Sequence, residues 1–193
     1  LYLFGNYSRN RSIRAMEKDQ QHNRHSEGPQ ARPGERGVQP WMVAPGEKKI
    51  FDVAILTISD SGSKGEREDS SGDAIAEIVA REGFAQVKRE IVPDERDQIS
   101  ARLRDWCDSG EIDLVLTTGG TGLGPRDVTP EATRDVIDIE VPGISEAVRG
   151  ETLKKTPFAM LSRSVAGVRS GCLIINLPGS PRGVRECLEV AVT

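Results

Sequence analysis

Residues 114–133, LVLTTGGTGLGPRDVTPEAT, decide the reading of this chain. The segment begins as an apolar run, passes through glycines at 119, 120, 122 and 124, and ends on Thr129-Pro130. That pattern predicts a buried strand feeding a phosphate-sized loop. Glycine accepts positive φ and lets backbone approach a ligand, so the N–H groups of its neighbours can converge on an anion. Arg126 and Asp127 add a fixed cation and a hard oxygen ligand. Thr129 as N-cap with Pro130 at the first helical position predicts a helix whose positive end lies close by. A glycine-rich turn alone often serves only a tight strand-to-helix connection. Gly, Gly, Thr, Gly, Arg and Asp together exceed that need and point to a bound phosphate. The segment is no Walker loop, since no Lys-Ser or Lys-Thr follows, and it lacks the GxGxxG dinucleotide spacing.

Upstream, residues 51–58 form a nearly continuous apolar, β-branched run, which predicts a strand buried on both faces of a parallel sheet. It ends in Ser59-Asp60-Ser61-Gly62, at the carboxyl edge where open α/β sheets bind ligands. A charged loop follows at 64–68, and Asp69, Ser70 or Ser71 caps a helix carrying Ile75, Ile78 and Val79 until Gly83 stops it. Residues 85–92 are polar enough for an edge strand. Pro93-Asp94 then turns into a helix with Ile99, Leu103, Trp106 and Cys107 on one face, ended by Gly110. A strand at 113–117 leads into the glycine loop, and the helix after it is expected to run from Pro130 to about Ile139. Another begins at Pro142-Gly143 with Ile144, Ala147, Val148 and Leu153 inward. Residues 157–171 read as loop or hairpin, 172–177 as a buried strand, and Ser180-Pro181 as the start of a helix with Val184, Leu188 and Val192 inward. This alternation predicts an α/β fold, a three-layer, doubly wound, mostly parallel sheet, as one domain over residues 50–193.

Residues 1–49 are rich in Arg, Gln, Asn, Gly and Pro and are expected to form a disordered leader. Trp41 and Met42 either dock its end on the domain or lie in a solvated linker. The chain opens on Leu1, which fits a fragment, a literally translated alternative start, or a start further in, such as Met16. Its 193 residues, 29% charged and 4% aromatic with a net charge of −4, offer no broad basic field, so nucleic acid is not the expected partner. No run of 18 apolar residues supports a membrane span, and the first residues lack a signal-peptide pattern. Cys107, Cys172 and Cys187 lie far apart without CxxC spacing, which fits packing in a reducing cytoplasm. His22 and His25 fall in the polar leader and receive no role.

Four strand ends thus bring polar groups to one side of the sheet: Ser59-Asp60, Asp94, the glycine loop with Asp127, and Pro178-Gly179-Ser180. Asp94 and Asp127 could hold Mg²⁺, which takes one or two carboxylates besides phosphate oxygens and water. Asp94 could equally cap the helix after Pro93. From the residues alone both readings stand.

TTGGTG at 117–122 followed by RDVTPEAT at 126–133 resembles the signature of the molybdopterin adenylyltransferase family, the MogA proteins and gephyrin G domains. ILTISDSGSKGEREDSSG at 55–72, VPDE at 92–95, PFAMLSR at 157–163 and INLPGSPRGV at 175–184 agree in order and spacing. MoaB-type paralogues share much of this pattern. The resemblance implies a MogA-like fold and adenylylation of molybdopterin by Mg-ATP with release of pyrophosphate. It makes Asp94 and Asp127 the essential, Mg²⁺-handling acids, Thr118 to Gly122 the nucleotide and phosphate cradle, and Ser59, Asp60, Pro178, Gly179 and Ser180 further walls. Arg126, Ser162, Arg163 and Glu146 become candidates for gripping the pterin or its phosphate, though an Arg such as Arg126 often simply pairs with a carboxylate. Asp73 also stands near a family motif. A homotrimer, a cytoplasmic location and a downstream metal-insertion protein follow from the same resemblance. The runner-up is a non-catalytic molybdopterin carrier or scaffold, a MoaB-like paralogue; two retained metal-competent carboxylates argue for the enzyme.

Overall fold

The first strand, β1 (Asp52–Ile58), explains the layering. Ala54, Leu56 and Ile58 enter one apolar cluster and Val53 and Ile55 the other, so both faces are covered and the run needs no polar alternation. The structure, a computed structural model, describes residues 50–192. The expectations for the leader, including Trp41 and Met42, lie outside the described residues. Beside β1 stand β2 (Ala85–Val92), β3 (Leu114–Thr118), β4 (Ile139–Glu140), β5 (Ala166–Arg169) and β6 (Cys172–Leu177), in the order β2-β1-β3-β6-β5-β4. The first four in that order pair in parallel, while β5 and β4 run antiparallel along the edge. The polar β2 is the opposite edge, as its composition requires.

A one-turn helix α1 (Asp60–Ser63) follows β1; the longer helices are α2 (Ser70–Arg81), α3 (Arg96–Asp108), α4 (Thr129–Arg134), α5 (Pro142–Leu153) and α6 (Pro181–Val192). Ile99, Leu103, Trp106 and Cys107 of α3 and Ala132 of α4 cover one face. Ile75, Ile78 and Val79 of α2 and Val184 and Leu188 of α6 cover the other. Each fully buried Ile or Leu contributes about 2 kcal/mol, so the two clusters fix the position of every strand end. After β1 the chain passes to α2 on one face, and after β3 to α4 on the opposite face. The loops therefore part between β1 and β3, which is the topological switch point that leaves a crevice.

Two details differ from expectation and a third is filled in. Helix α4 stops at Arg134, because the chain must leave it to place Ile139 beside Val168 and Glu140 beside Gly167 in an antiparallel pair. Helix α5 turns Ser145, Val148 and Thr152 inward with Ile144 half-buried, while Ala147 and Leu153 are exposed. Thr152 tolerates this burial because its hydroxyl donates to the Val148 carbonyl at 2.6 Å. Residues 157–171 resolve into a 3₁₀ turn (Pro157–Leu161) and a hairpin whose tip, Ser170-Gly171, takes φ of 48° and 84°.

Candidate active site

A cleft of about 190 Å³ opens at the switch point, walled by the ends of β1 and β3, the β2–α3 turn, the start of α2 and Gly179. Its floor is the glycine loop. Gly119 and Gly120 take φ of 102° and 62°. At Gly119 a Cβ would lie 2.2 Å from the Ile58 carbonyl oxygen, and at Gly120 2.4 Å from Thr129 Oγ1, so both positions exclude side chains. Gly122 and Gly124 do not take positive φ; they are small because Asp127 Oδ2 lies 2.9 Å from where each Cβ would stand.

Thr129 is not the expected N-cap. Val128 precedes α4 in that position without a side-chain bond, and Thr129 instead closes the loop: its hydroxyl donates to the Gly119 carbonyl at 2.8 Å and its N–H to the Gly120 carbonyl at 3.1 Å. Across the loop the Thr118 hydroxyl donates to the Pro178 carbonyl at 2.7 Å, which fastens Pro178-Gly179-Ser180 alongside. Ser180 itself caps α6, accepting from Gly183 N–H at 3.1 Å. Behind the floor, buried Asn176 donates to the hydroxyls of Thr117 and Thr133, each at 2.9 Å, and accepts from Val165 N–H at 3.2 Å. This link between β3, α4 and β6 gave no sequence signal beyond one polar residue in an apolar strand.

The acidic residues settle one open question. Glu95, not Asp94, precedes α3, and it makes no side-chain cap. Asp94 turns across the sheet edge: its Oδ2 accepts from Asp60 N–H at 2.8 Å, and Asp60 Oδ1 accepts from Asp94 N–H at 3.1 Å. Burial, opposed by that hydrogen bond but reinforced by the charges of Asp60 and Asp127, pushes the Asp94 carboxyl above the usual range. Asp60 goes the other way, held low chiefly by the Arg126 guanidinium. Ser59 caps α1, accepting from Gly62 N–H at 3.0 Å. Asp127 Oδ2 accepts from Gly124 N–H at 2.7 Å. Among the described residues, Oδ1 of Asp94 and Oδ1 of Asp127 accept no hydrogen bond, so two hard oxygens remain beside the glycine loop. No group of three or more potential metal ligands exists among the described residues. Two carboxylates with open lone pairs and excess negative charge suit Mg²⁺, which shares its shell with phosphate and water.

The candidate pterin ligands disperse. Arg126 bridges Asp60, at 2.8 to 3.1 Å, and Glu95, at 2.8 Å. Arg163 grips the loop backbone: its Nε donates to the Gly122 carbonyl at 2.7 Å, its other nitrogens to the Asp127 carbonyl and the Glu131 carboxylate, and its own N–H to the Thr121 carbonyl at 3.1 Å. Ser162 pairs with Ser164, Oγ to Oγ, at 2.8 Å. Glu146 is exposed on α5 and forms no part of the cleft wall.

Asp69 lines the cleft although the sequence marked it only as a cap. It is that cap, accepting from Gly72 N–H at 2.9 Å, and it also accepts from the Thr57 hydroxyl at 3.0 Å and from Arg89 at 2.6 and 3.1 Å. Asp73 completes the cluster, 2.8 Å from Arg89. Arg67 on the charged loop also lines the cleft and was likewise not singled out.

Residues 54–193 match the model of a family described as a probable molybdopterin binding domain. The chain belongs to this family. The molybdopterin adenylyltransferase of Helicobacter pylori strain J99 is 49% identical over 143 residues, covering 73% of this chain and 81% of the relative. That of Escherichia coli K12 is 40% identical over 139 residues, 71% of each chain. Among solved structures, the molybdopterin biosynthesis enzyme MoaB from Thermus thermophilus superposes with a TM-score of 0.70 at 55% identity, over 74% of this chain and 90% of that one. The six-stranded α/β layering with its switch-point cleft is therefore the fold of this molybdopterin-binding family.

Proposed function

We propose that this molybdopterin-binding family member is a molybdopterin adenylyltransferase acting in molybdenum-cofactor biosynthesis, with ATP as the adenylyl donor. The carrying observation is that Asp94 is withheld from capping α3 and lies with Asp127 beside the glycine loop, each keeping one unbonded carboxylate oxygen. In the transfer, a terminal phosphate oxygen of molybdopterin forms a bond to the α-phosphorus of ATP. The α–β bridging P–O bond breaks and its electron pair leaves with pyrophosphate.

A phosphate nucleophile is already ionised near neutral pH, so the protein need not remove a proton. What remains is positioning and compensation of charge. Thr118 to Gly122 supply the backbone of the phosphate loop, whose course against Ile58 and Thr129 leaves no room for side chains at Gly119 and Gly120, and Thr129 and Arg163 hold that backbone in place. Ser59 and Asp60 anchor the opposite wall, and the mutual bonds of Asp60 and Asp94 fix the loop after β1 to the turn after β2. Asp94 and Asp127 would hold Mg²⁺, which when bound neutralises triphosphate oxygens and makes pyrophosphate a better leaving group. The role of Arg163 is then indirect, through the shape of the loop, while Ser162 bonds to Ser164 and Arg149 rather than to the loop.

Exposed Leu123, Ile139, Phe158, Met160 and Leu161 support a homotrimeric assembly, since such side chains favour burial against another copy. No helix among the described residues is long and apolar enough to cross a membrane, and the cysteines Cys107, Cys172 and Cys187 are free, which supports the cytoplasmic location. The product would pass to a metal-insertion protein.

The test is single-turnover conversion of molybdopterin and Mg-ATP, comparing the wild type with Asp94→Asn and Asp127→Asn. Product from the wild type, with at least a hundredfold slower transfer but retained substrate binding in both variants, is the expected result. Tight molybdopterin binding by the wild type without product would replace the enzyme by the carrier reading.

A further inference from the structure

The cleft handles two phosphate-bearing substrates, yet its wall is rich in carboxylates and its nearby cations are already committed. Arg126 is engaged by Asp60 and Glu95, Arg89 by Asp69 and Asp73, and Arg163 by Glu131 and two loop carbonyls. The same holds for the Arg and Lys side chains on β2, β5 and the longer helices and just after α5, which meet a carboxylate or a carbonyl. Among the Arg and Lys side chains of the described residues, only those of Lys64 and Arg67 make neither an ion pair nor a hydrogen bond. Of these two, Arg67 lines the cleft and Lys64 does not.

We propose that Arg67 binds a substrate phosphate, the guanidinium left unpaired at the cleft wall supplying positive charge that the folded site otherwise neutralises internally. The inference rests on the adenylyltransferase reading and adds a residue to it. A guanidinium suits a phosphate because its donors form a planar fork that matches two oxygens, and a charge-assisted pair of this kind is about twice as strong as a neutral hydrogen bond. Its position on the loop after α1 is suited to the task. The loop carries no core residue, and the side chain is exposed until an anion arrives. The phosphate belongs either to the nucleotide or to molybdopterin, and the experiment separates them.

Dissociation constants of full-length chain for Mg-ATP and for molybdopterin, each alone, are measured for wild type, Arg67→Ala, Arg67→Lys and Arg67→Glu, together with KM and kcat. Lys64→Ala, an equal loss of charge three residues away, is the control. Because Arg67 holds no internal partner, its variants should melt with the wild type. The expected result is about a tenfold weaker Kd and higher KM for one of the two substrates in Arg67→Ala, with kcat changed less than about threefold. Arg67→Glu should lose more, Arg67→Lys should recover most of the loss, and the salt dependence of that Kd should flatten. A shift confined to ATP assigns the triphosphate, and one confined to molybdopterin assigns its terminal phosphate. Unchanged constants for both substrates, or an equal shift in Lys64→Ala, overturn the proposal. A wild type that binds both substrates without turnover would defeat the adenylyltransferase reading, while the Kd series would still decide Arg67.

Discussion

Replacing Gly119 by Ala adds one methyl group, and the geometry sets its cost. The new Cβ would stand 2.2 Å from the carbonyl oxygen of Ile58, the last residue of β1, at a φ of 102° that side chains rarely adopt. The loop cannot retreat, since Gly119 N–H donates to the Leu177 carbonyl at 3.3 Å and the Gly119 carbonyl accepts from Thr129 at 2.8 Å. Backbone strain of this type costs about 1–3 kcal/mol. Forcing a packed neighbour aside costs about 1–3 kcal/mol more. A total near 4 kcal/mol is a large part of the roughly 5–15 kcal/mol that stabilises a domain, and it corresponds to a fall in Tm of about 10 °C. Gly150→Ala is the matched comparison. Gly150 sits inside α5 with nothing within 4 Å of its Cβ position, so the same methyl should stabilise by about 0.5–1 kcal/mol through helix propensity. Thermal and urea unfolding of the three proteins decide the matter. A Gly119→Ala protein as stable as the wild type, or the two variants shifting in the same direction, would refute the steric argument.

Asp94 should weigh on stability at neutral pH. Its folded pKa is raised, so the folded state binds the proton more tightly than the unfolded state, and stability falls as pH rises from the ordinary carboxyl value of 3.8 through the folded pKa. Asp94→Asn should accordingly melt higher than the wild type at pH 7, with the advantage fading as the pH approaches 3.8; an advantage that grows toward acid would contradict the assignment. Arg163→Lys cannot reproduce a fork that reaches Gly122, Asp127 and Glu131 together, so it should lose about 1–3 kcal/mol of stability and slow transfer at least tenfold, as unfolding and single-turnover assays would report. For the homotrimer proposed above, Phe158→Asp with Met160→Asp, at positions 75% and 65% exposed, should leave the fold intact and shift sedimentation from trimer to monomer; a wild type that sediments as a monomer would refute that proposal.

The framework was legible because β1, β3 and β6 are short, mostly apolar runs, and because α2, α3 and α6 repeat apolar residues at helical spacing. The interior of α5 was not, since two of its inward residues are Ser145 and Thr152, polar types that its pattern does not mark for burial, and the Thr152 hydroxyl is accommodated by donating to the Val148 carbonyl. Nor was the end of α4, which is set by a two-residue strand that exists only when β5 is beside it. At the site, residue types and spacing pointed to the glycine loop and to Asp94, but not to what each side chain would touch. Thr129 looked like a cap because Thr-Pro commonly begins helices, and the Gly119 carbonyl that captures its hydroxyl lies ten positions upstream. Of the cap candidates Asp69, Ser70 and Ser71, Asp69 is the cap. Its further contacts with Thr57 and Arg89, on two different strands, follow only from the sheet.

Pairing in the parallel sheet joins Val53 to Leu114 and Leu114 to Leu173, so β3 closes on β1, and β6 on β3, across about sixty residues. Such long-range closure is slow compared with helix formation. The cleft stands at the far ends of these same strands and takes part of its wall from Gly179, beyond the last of them. During synthesis, then, the glycine loop emerges from the ribosome well before the strand that seats it, and substrate affinity should appear late and abruptly, only once β6 has entered the sheet.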